Sequence, residues 1–153
     1  MKNLILLLSC ILFPLIVGSA GGFFTSIGVT SWYIDIKKPS FNPPNYVFGP
    51  VWTILYILMG ISFYLVVKSL KFHWSMFLTF LVQLGLNFSW SLIFFYLHDI
   101  KLAFIEIILL WISILFMILL FYKANKWAAF INIPYLLWVS FATVLNYYLY
   151  LLN

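Results

Sequence analysis

Five stretches of this chain are each long and apolar enough to cross a lipid bilayer, and almost nothing else is left over. A spanning helix needs about 20 predominantly apolar residues. By that rule the stretches run roughly over 4–27, 45–67, 72–97, 102–122 and 127–151. Hydrophobic residues make up 66% of the chain and charged residues 7%. A water-soluble domain draws roughly a quarter of its residues from the charged types. Lipid is therefore the solvent, and the expectation is an all-α integral membrane bundle of five transmembrane helices in one domain, 1–153. A β-barrel is excluded, because barrel strands alternate polar and apolar residues and these stretches are apolar on every face.

The connections at 68–71, 98–101 and 123–126 are very short, which forces neighbouring helices antiparallel. The first connection, Gly28 to Pro44, is different. It carries Trp32, Tyr33, Lys37, Lys38, Pro39, Pro43 and Pro44, and its prolines forbid one continuous helix. A long loop of this composition in a small protein covers something or does something. At the N-terminus, Lys2 and Leu7-Leu8-Ser9-Cys10 imitate a lipoprotein signal. The apolar run continues to Ile27, however, which suits an uncleaved spanning helix better.

The net charge of +5 comes from scattered lysines. Nucleic-acid binders gather their positive charge on one face, so nucleic acid is not an expected partner and lipid is. With one cysteine, Cys10, and two separated histidines, His73 and His98, no metal site is expected. Lys2, Lys68, Lys71, Lys123 and Lys126 fall on the N-terminal side of the five crossings. Lys37, Lys38 and Lys101, with Asp35 and Asp99, fall on the other. The positive-inside rule then favours a cytoplasmic N-terminus.

Polar and aromatic residues inside the spans mark the faces turned from lipid. Gln83, Asn87, Trp90 and Phe94 share one face of the third helix. Trp52, Tyr56, Gly60 and Tyr64 do so in the second, and Tyr135, Trp138, Ala142, Asn146 and Leu149 in the fifth. Two roles fit the amides: interhelical hydrogen bonding, or polar handles in a ligand pocket. Glu106 lies deep in the fourth span, where an ionisable group is costly and either functional or protonated and bonded. Trp74 and Trp127 sit at span ends, as an aromatic belt requires. Gly18–Gly22 and Gly85–Ser89 are small-residue steps that let helices approach, within one bundle or between two copies. Pro14, Pro50 and Pro134 each remove a backbone hydrogen bond and can kink a helix.

The order of these pieces resembles the TspO/MBR family, the bacterial tryptophan-rich sensory proteins and the mitochondrial translocator protein, over essentially the whole chain. The matching pieces are Val17-Gly18-Ser19, Trp32-Tyr33, Lys38-Pro39-Ser40, Pro43-Pro44, Gly49-Pro50-Val51-Trp52, Leu55-Tyr56, Gly60, Gln83, Leu86-Asn87, Trp90, Phe94-Phe95, Pro134-Tyr135-Leu136, Trp138, Phe141-Ala142 and Leu145-Asn146. The resemblance implies a five-helix bundle with a pocket under the first loop, which acts as its lid. It implies a flat aromatic ligand, a tetrapyrrole such as protoporphyrin IX or a benzodiazepine-type compound, with no obligatory cofactor and with homodimer formation. Carried over residue by residue, the ligand-binding set is Trp32, Trp52, Tyr56, Asn87, Trp90, Trp138, Ala142 and Asn146. The implied location is the cell (inner) membrane of a bacterium.

Departures from the family pattern are Phe41 and Phe88 in place of tryptophan, Glu106 in place of aspartate, and Leu102 in place of the fourth-helix tryptophan of animal members. The Leu102 change implies an altered pocket wall. The tyrosine-rich end at 147–153 lacks the basic residue of the sterol motif, so no sterol role is expected. Three activities stay open: sensing, light- and oxygen-dependent porphyrin degradation with Trp52 and Trp138 as its oxidisable participants, and transport. The chain offers no nucleophile–base pair for ordinary catalysis.

Overall fold

The computed structural model describes residues 2–153. Its helices are α1 (Lys2–Val29), α2 (Trp32–Asp35), α3 (Asn45–Val67), α4 (Trp74–Ser91), α5 (Ile100–Ala124), α6 (Lys126–Ile131) and α7 (Ile133–Leu152). Helix α4 runs directly into a π-helical turn, Leu92–Tyr96. Among the described residues there are five candidate membrane spans: α1, α3, α4 with its π turn, α5, and α6 with α7. The chain is thus an integral multi-pass membrane protein.

Helix α1 packs against α3 and α4, α4 against α5, α5 against α7, and α3 against α6. Read around the bundle, the order is α3, α1, α4, α5, α7. Lipid tails solvate leucine as well as a neighbouring helix does, so close packing and hydrogen bonds hold such a bundle together. Both are visible. Gly60 of α3 lies against the backbone of α1, where a Cβ would stand 2.5 Å from Ile11 Cα and 2.6 Å from the Cys10 carbonyl oxygen. Only glycine allows that crossing. Deeper in the bundle Phe63 stacks on Phe80 with ring centroids 4.2 Å apart, and Met59, Phe80, Ile114, Met117 and Phe121 are fully buried around them.

Helix ends follow local chemistry. Asp99 caps α5 by accepting from the Leu102 amide at 2.8 Å, and Asn125 caps α6 by accepting from the Trp127 amide at 2.9 Å. His98 takes φ 58° to end the π turn. The fifth span, expected as one helix over 127–151, breaks at Asn132. Pro134 has no N–H to carry the ladder across that point. The Asn132 amide group fills in, donating to the Ala128 carbonyl at 2.9 Å and to Ser62 on α3.

The first loop is ordered and holds the short helix α2, which the sequence does not announce. Tyr33 is 2% exposed and donates to Asn42 Oδ1 at 2.6 Å. Trp32 stacks on His98 at 4.6 Å. Asn153 grips the backbone of Lys37 from both sides, accepting from its amide at 2.9 Å and donating to its carbonyl at 3.0 Å. At the opposite end of the bundle, Trp74 and Trp127 are 77% and 61% exposed, where a belt residue meets the bilayer interface.

Candidate functional site: an aromatic-walled cavity beneath the first loop

The helices separate towards the loop and leave a cavity of about 370 Å³ between α1, α3, the end of α4 with its π turn, and α7. Tyr33 of the loop reaches it from above. Its size is in the range of small-molecule sites. Among the residues that line it none carries a formal charge.

Local sequence explains the wall. Trp52 and Tyr56 are one helical turn apart on α3 and their rings stack, with centroids 5.7 Å apart and planes 27° from parallel. Trp138 and Ala142 are one turn apart on α7; the small Ala142 leaves room beside the indole. Phe48 closes on Trp138 edge to face at 6.3 Å, and Trp52 meets Tyr135 edge to face at 6.1 Å, so α3 and α7 touch through rings. On the far side Trp90 stacks on Phe94 at 5.1 Å. The π turn inserts one extra residue per turn, and so carries both Phe94 and Phe95 onto the cavity. Such turns recur at functional sites.

The polar groups divide into spent and unspent. Trp90 donates its indole N–H to Asn146 Oδ1 at 3.0 Å, and Asn146 donates to the Ile100 carbonyl at 3.3 Å. Tyr56 donates its hydroxyl to Asn87 Oδ1, Asn87 Nδ2 donates to the Tyr135 hydroxyl at 3.1 Å, and Tyr135 donates to Gln83 Oε1 at 2.9 Å. This layer ties α3, α4 and α7 together beneath the cavity. The indole N–H groups of Trp52 and Trp138 have no acceptor among the described residues, whereas those of Trp90 and Trp111 do. Two indole donors in the cavity wall, one on α3 and one on α7, are therefore without a partner among the described residues.

Six of the eight ligand-binding residues expected from sequence line the cavity: Trp52, Tyr56, Trp90, Trp138, Ala142 and Asn146. Asn87 and Trp32 do not. Asn87 stands behind Tyr56, 4% exposed, as an interhelical tie. Trp32 packs on the outside of the π turn, edge-on to Phe94 at 5.3 Å and stacked on His98. The altered wall expected at Leu102 is not there either: α5 contributes no lining residue, and Leu102 is 44% exposed on the outer surface. Glu106 is buried on α5, away from the cavity lining, and accepts from the Ser89 hydroxyl at 2.8 Å.

Sequence reasoning missed Tyr33, Phe48 and Leu145 as lining residues. The step Gly18–Gly22, expected to let helices approach within one bundle or between two copies, faces α3 within the bundle and borders the cavity as well. The Tyr56 ring occupies the space where a Gly18 side chain would begin, and Gly22 borders the cavity. A glycine one helical turn from another, opposite a tyrosine, was the available signal.

The sequence profile of the TspO/MBR family matches residues 10–151. The chain belongs to the TspO/MBR family. It is 43% identical to the tryptophan-rich protein TspO of Archaeoglobus fulgidus over 152 residues, 99% of each chain. Against the protein of the same name from Chlorobaculum tepidum it is 39% identical over 158 aligned positions, covering 99% of this chain and 98% of that one. With the translocator protein of Homo sapiens it shares 35% identity over 120 residues, 76% of this chain and 71% of the human one. The likeness to TspO proteins thus spans all five transmembrane segments and the first loop.

Proposed function

We propose that this TspO/MBR protein is a membrane binding protein, acting as a sensor, whose cavity takes one flat, largely apolar ring system of tetrapyrrole or benzodiazepine type. The observation that carries this reading is the pair of indole N–H groups of Trp52 and Trp138, unpartnered among the described residues, in the wall of an uncharged, aromatic-lined cavity. Ring burial supplies affinity and the two donors fix orientation against a neutral acceptor such as a ligand carbonyl. Binding polar edges of a ligand inside a neutral wall favours groups that accept hydrogen bonds without demanding a counter-charge.

One relative, from Cereibacter sphaeroides, carries the name tryptophan-rich sensory protein, which agrees with a sensing role. The membrane in question is the cell membrane of a bacterium in this reading. The test is a titration of the purified protein with protoporphyrin IX in the dark, read by tryptophan quenching. Trp138→Phe and Trp52→Phe keep an aromatic ring and remove the N–H. Each is expected to weaken binding by about 10-fold, the worth of one buried hydrogen bond. Equal affinity in both variants and the wild type rejects this cavity as the site.

A further inference from the structure

The cavity is unevenly closed. Its lining residues from α2, α4, the π turn and α7 are all buried or half-buried. The exposed lining residues all belong to two facing rows: Ser19, Gly22 and Ser26 on α1, and Asn45, Gly49 and Thr53 on α3. The two helices cross with backbones in contact at Gly60 and Ile11 and with Gly18 against Tyr56. From there they part towards the loop. A Cβ added at Gly22 or at Gly49 would meet nothing within 4 Å. The result is a slot on the flank of the bundle, widest near the loop and closed at the crossing.

The hydroxyl-bearing slot edges are compatible with lipid, and the one amide of the rows, Asn45, stands at the loop end in the first turn of α3. Ser19 donates to the Leu15 carbonyl at 2.8 Å, Ser26 to Phe23 at 2.8 Å and Thr53 to Gly49 at 2.9 Å. Each hydroxyl proton is spent on its own helix, so none demands water. The loop above is latched on several sides. Asn153 holds Lys37, His98 holds Trp32, and Phe41 packs edge-on against Tyr148 at 5.3 Å. Passage under the loop breaks these contacts, while passage through the slot breaks no interhelical hydrogen bond.

We propose that the α1–α3 slot is the cavity's port to the bilayer, admitting ligands edge-first from lipid rather than from water. It selects for flat molecules that partition into membranes. This inference rests on the binding reading above and adds the route and the physical class of ligand.

The experiment measures exchange kinetics in phospholipid nanodiscs, with protoporphyrin IX delivered from vesicles and tryptophan quenching followed by stopped flow. Gly22→Leu and Gly49→Leu place bulk in open space at the slot. Association and dissociation are each expected to slow by about 10-fold or more; Gly22 and Gly49 also border the cavity, so the dissociation rate is the deciding readout, since a blocked port slows it whereas lost affinity speeds it. Ser26→Leu, on a position already carrying a side chain, serves as the second variant if either glycine variant fails to reconstitute. Asn153→Ala, which frees the loop, is expected to leave both rates unchanged. Wild-type rates in the slot variants, or a faster exchange in Asn153→Ala, overturn the port while leaving the binding site intact. Absence of quenching in the wild-type protein overturns the binding reading, and the port with it.

Discussion

Tyr56 serves the cavity with its ring and the polar layer with its hydroxyl, and the two contributions separate by substitution. Tyr56→Phe keeps the stack on Trp52 and leaves Asn87 Oδ1 without its donor. Interhelical hydrogen bonds in membranes average about 0.6 kcal/mol and reach about 1.7, so a fall in thermal stability at that scale is expected, with porphyrin affinity nearly unchanged. Thermal unfolding in detergent and the quenching titration check both halves. Tyr33 gives a pH test. Burial pushes its hydroxyl up to about 12, against a smaller lowering by the bond to Asn42. Its folded value is thus above the unfolded value of about 10. The phenol's contribution to holding the loop is whole below pH ~10 and is lost as pH rises through about 12. Hydrogen exchange across residues 31–42 should therefore show protection that is level through neutral pH and falls in that alkaline window. An earlier fall would contradict the Tyr33–Asn42 latch. Residue identities in the cavity wall were legible in the sequence where an aromatic or small residue recurred every turn, as for Trp52–Tyr56 and Trp138–Ala142. The direction of a side chain relative to its neighbours was not. Nothing in the spacing of Gln83, Asn87, Trp90 and Phe94 says that the first two tie helices while the last two face a cavity.

At the scale of elements, the crossing of α1 and α3 at Gly60 decides where the cavity can begin. Gly60→Val puts branched bulk against the Ile11 backbone, where nothing flexible can yield. Overpacking of this kind costs about 1–3 kcal/mol or more, and a lowered melting temperature with loss of porphyrin binding is the expected outcome. A variant that melts and binds like the wild type would show that the crossing does not shape the cavity. The loop is held at its far side by Asn153, and Asn153→Ala should speed amide exchange at Lys37 without lowering the melting temperature of the bundle. The spans themselves were readable to within a few residues, since length and apolarity are what a bilayer demands. The exceptions have local causes. Pro134 splits the fifth span into α6 and α7, a break that a proline can make in a helix but need not. The π turn at Leu92–Tyr96 depends on how Phe94 and Phe95 pack on α1 and α2. Gly28 leaves that space, a Cβ there standing 2.7 Å from the Phe95 side chain. No periodicity within the third span carries that information.

For the whole molecule, the two ends differ. One carries exposed Trp74 and Trp127 with Lys68, Lys71, Lys123 and Lys126; the other carries the latched loop, the cavity and the slot. The lysine balance predicts that the first end faces the cytoplasm. An Asn3→Cys variant in a Cys10→Ser background should therefore resist an impermeant thiol reagent on intact cells, and labelling there would reverse the assignment. Membership of the family was legible from motif order alone, and profile and relatives bear it out across the chain. The cavity's uneven closure was not legible, because it depends on the angle at which α1 and α3 part. The central claim is that the space between Trp52, Trp138 and Ala142 is where a flat aromatic ligand sits. A cysteine at Ala142 in the Cys10→Ser background tests it most directly, with a small maleimide reacting in nanodiscs with and without protoporphyrin IX in the dark. Saturating porphyrin should slow labelling by about 10-fold or more, as a guest filling the cavity excludes the reagent. Labelling at the same rate with and without porphyrin, while the titration still shows binding, would place the ligand elsewhere and contradict the account.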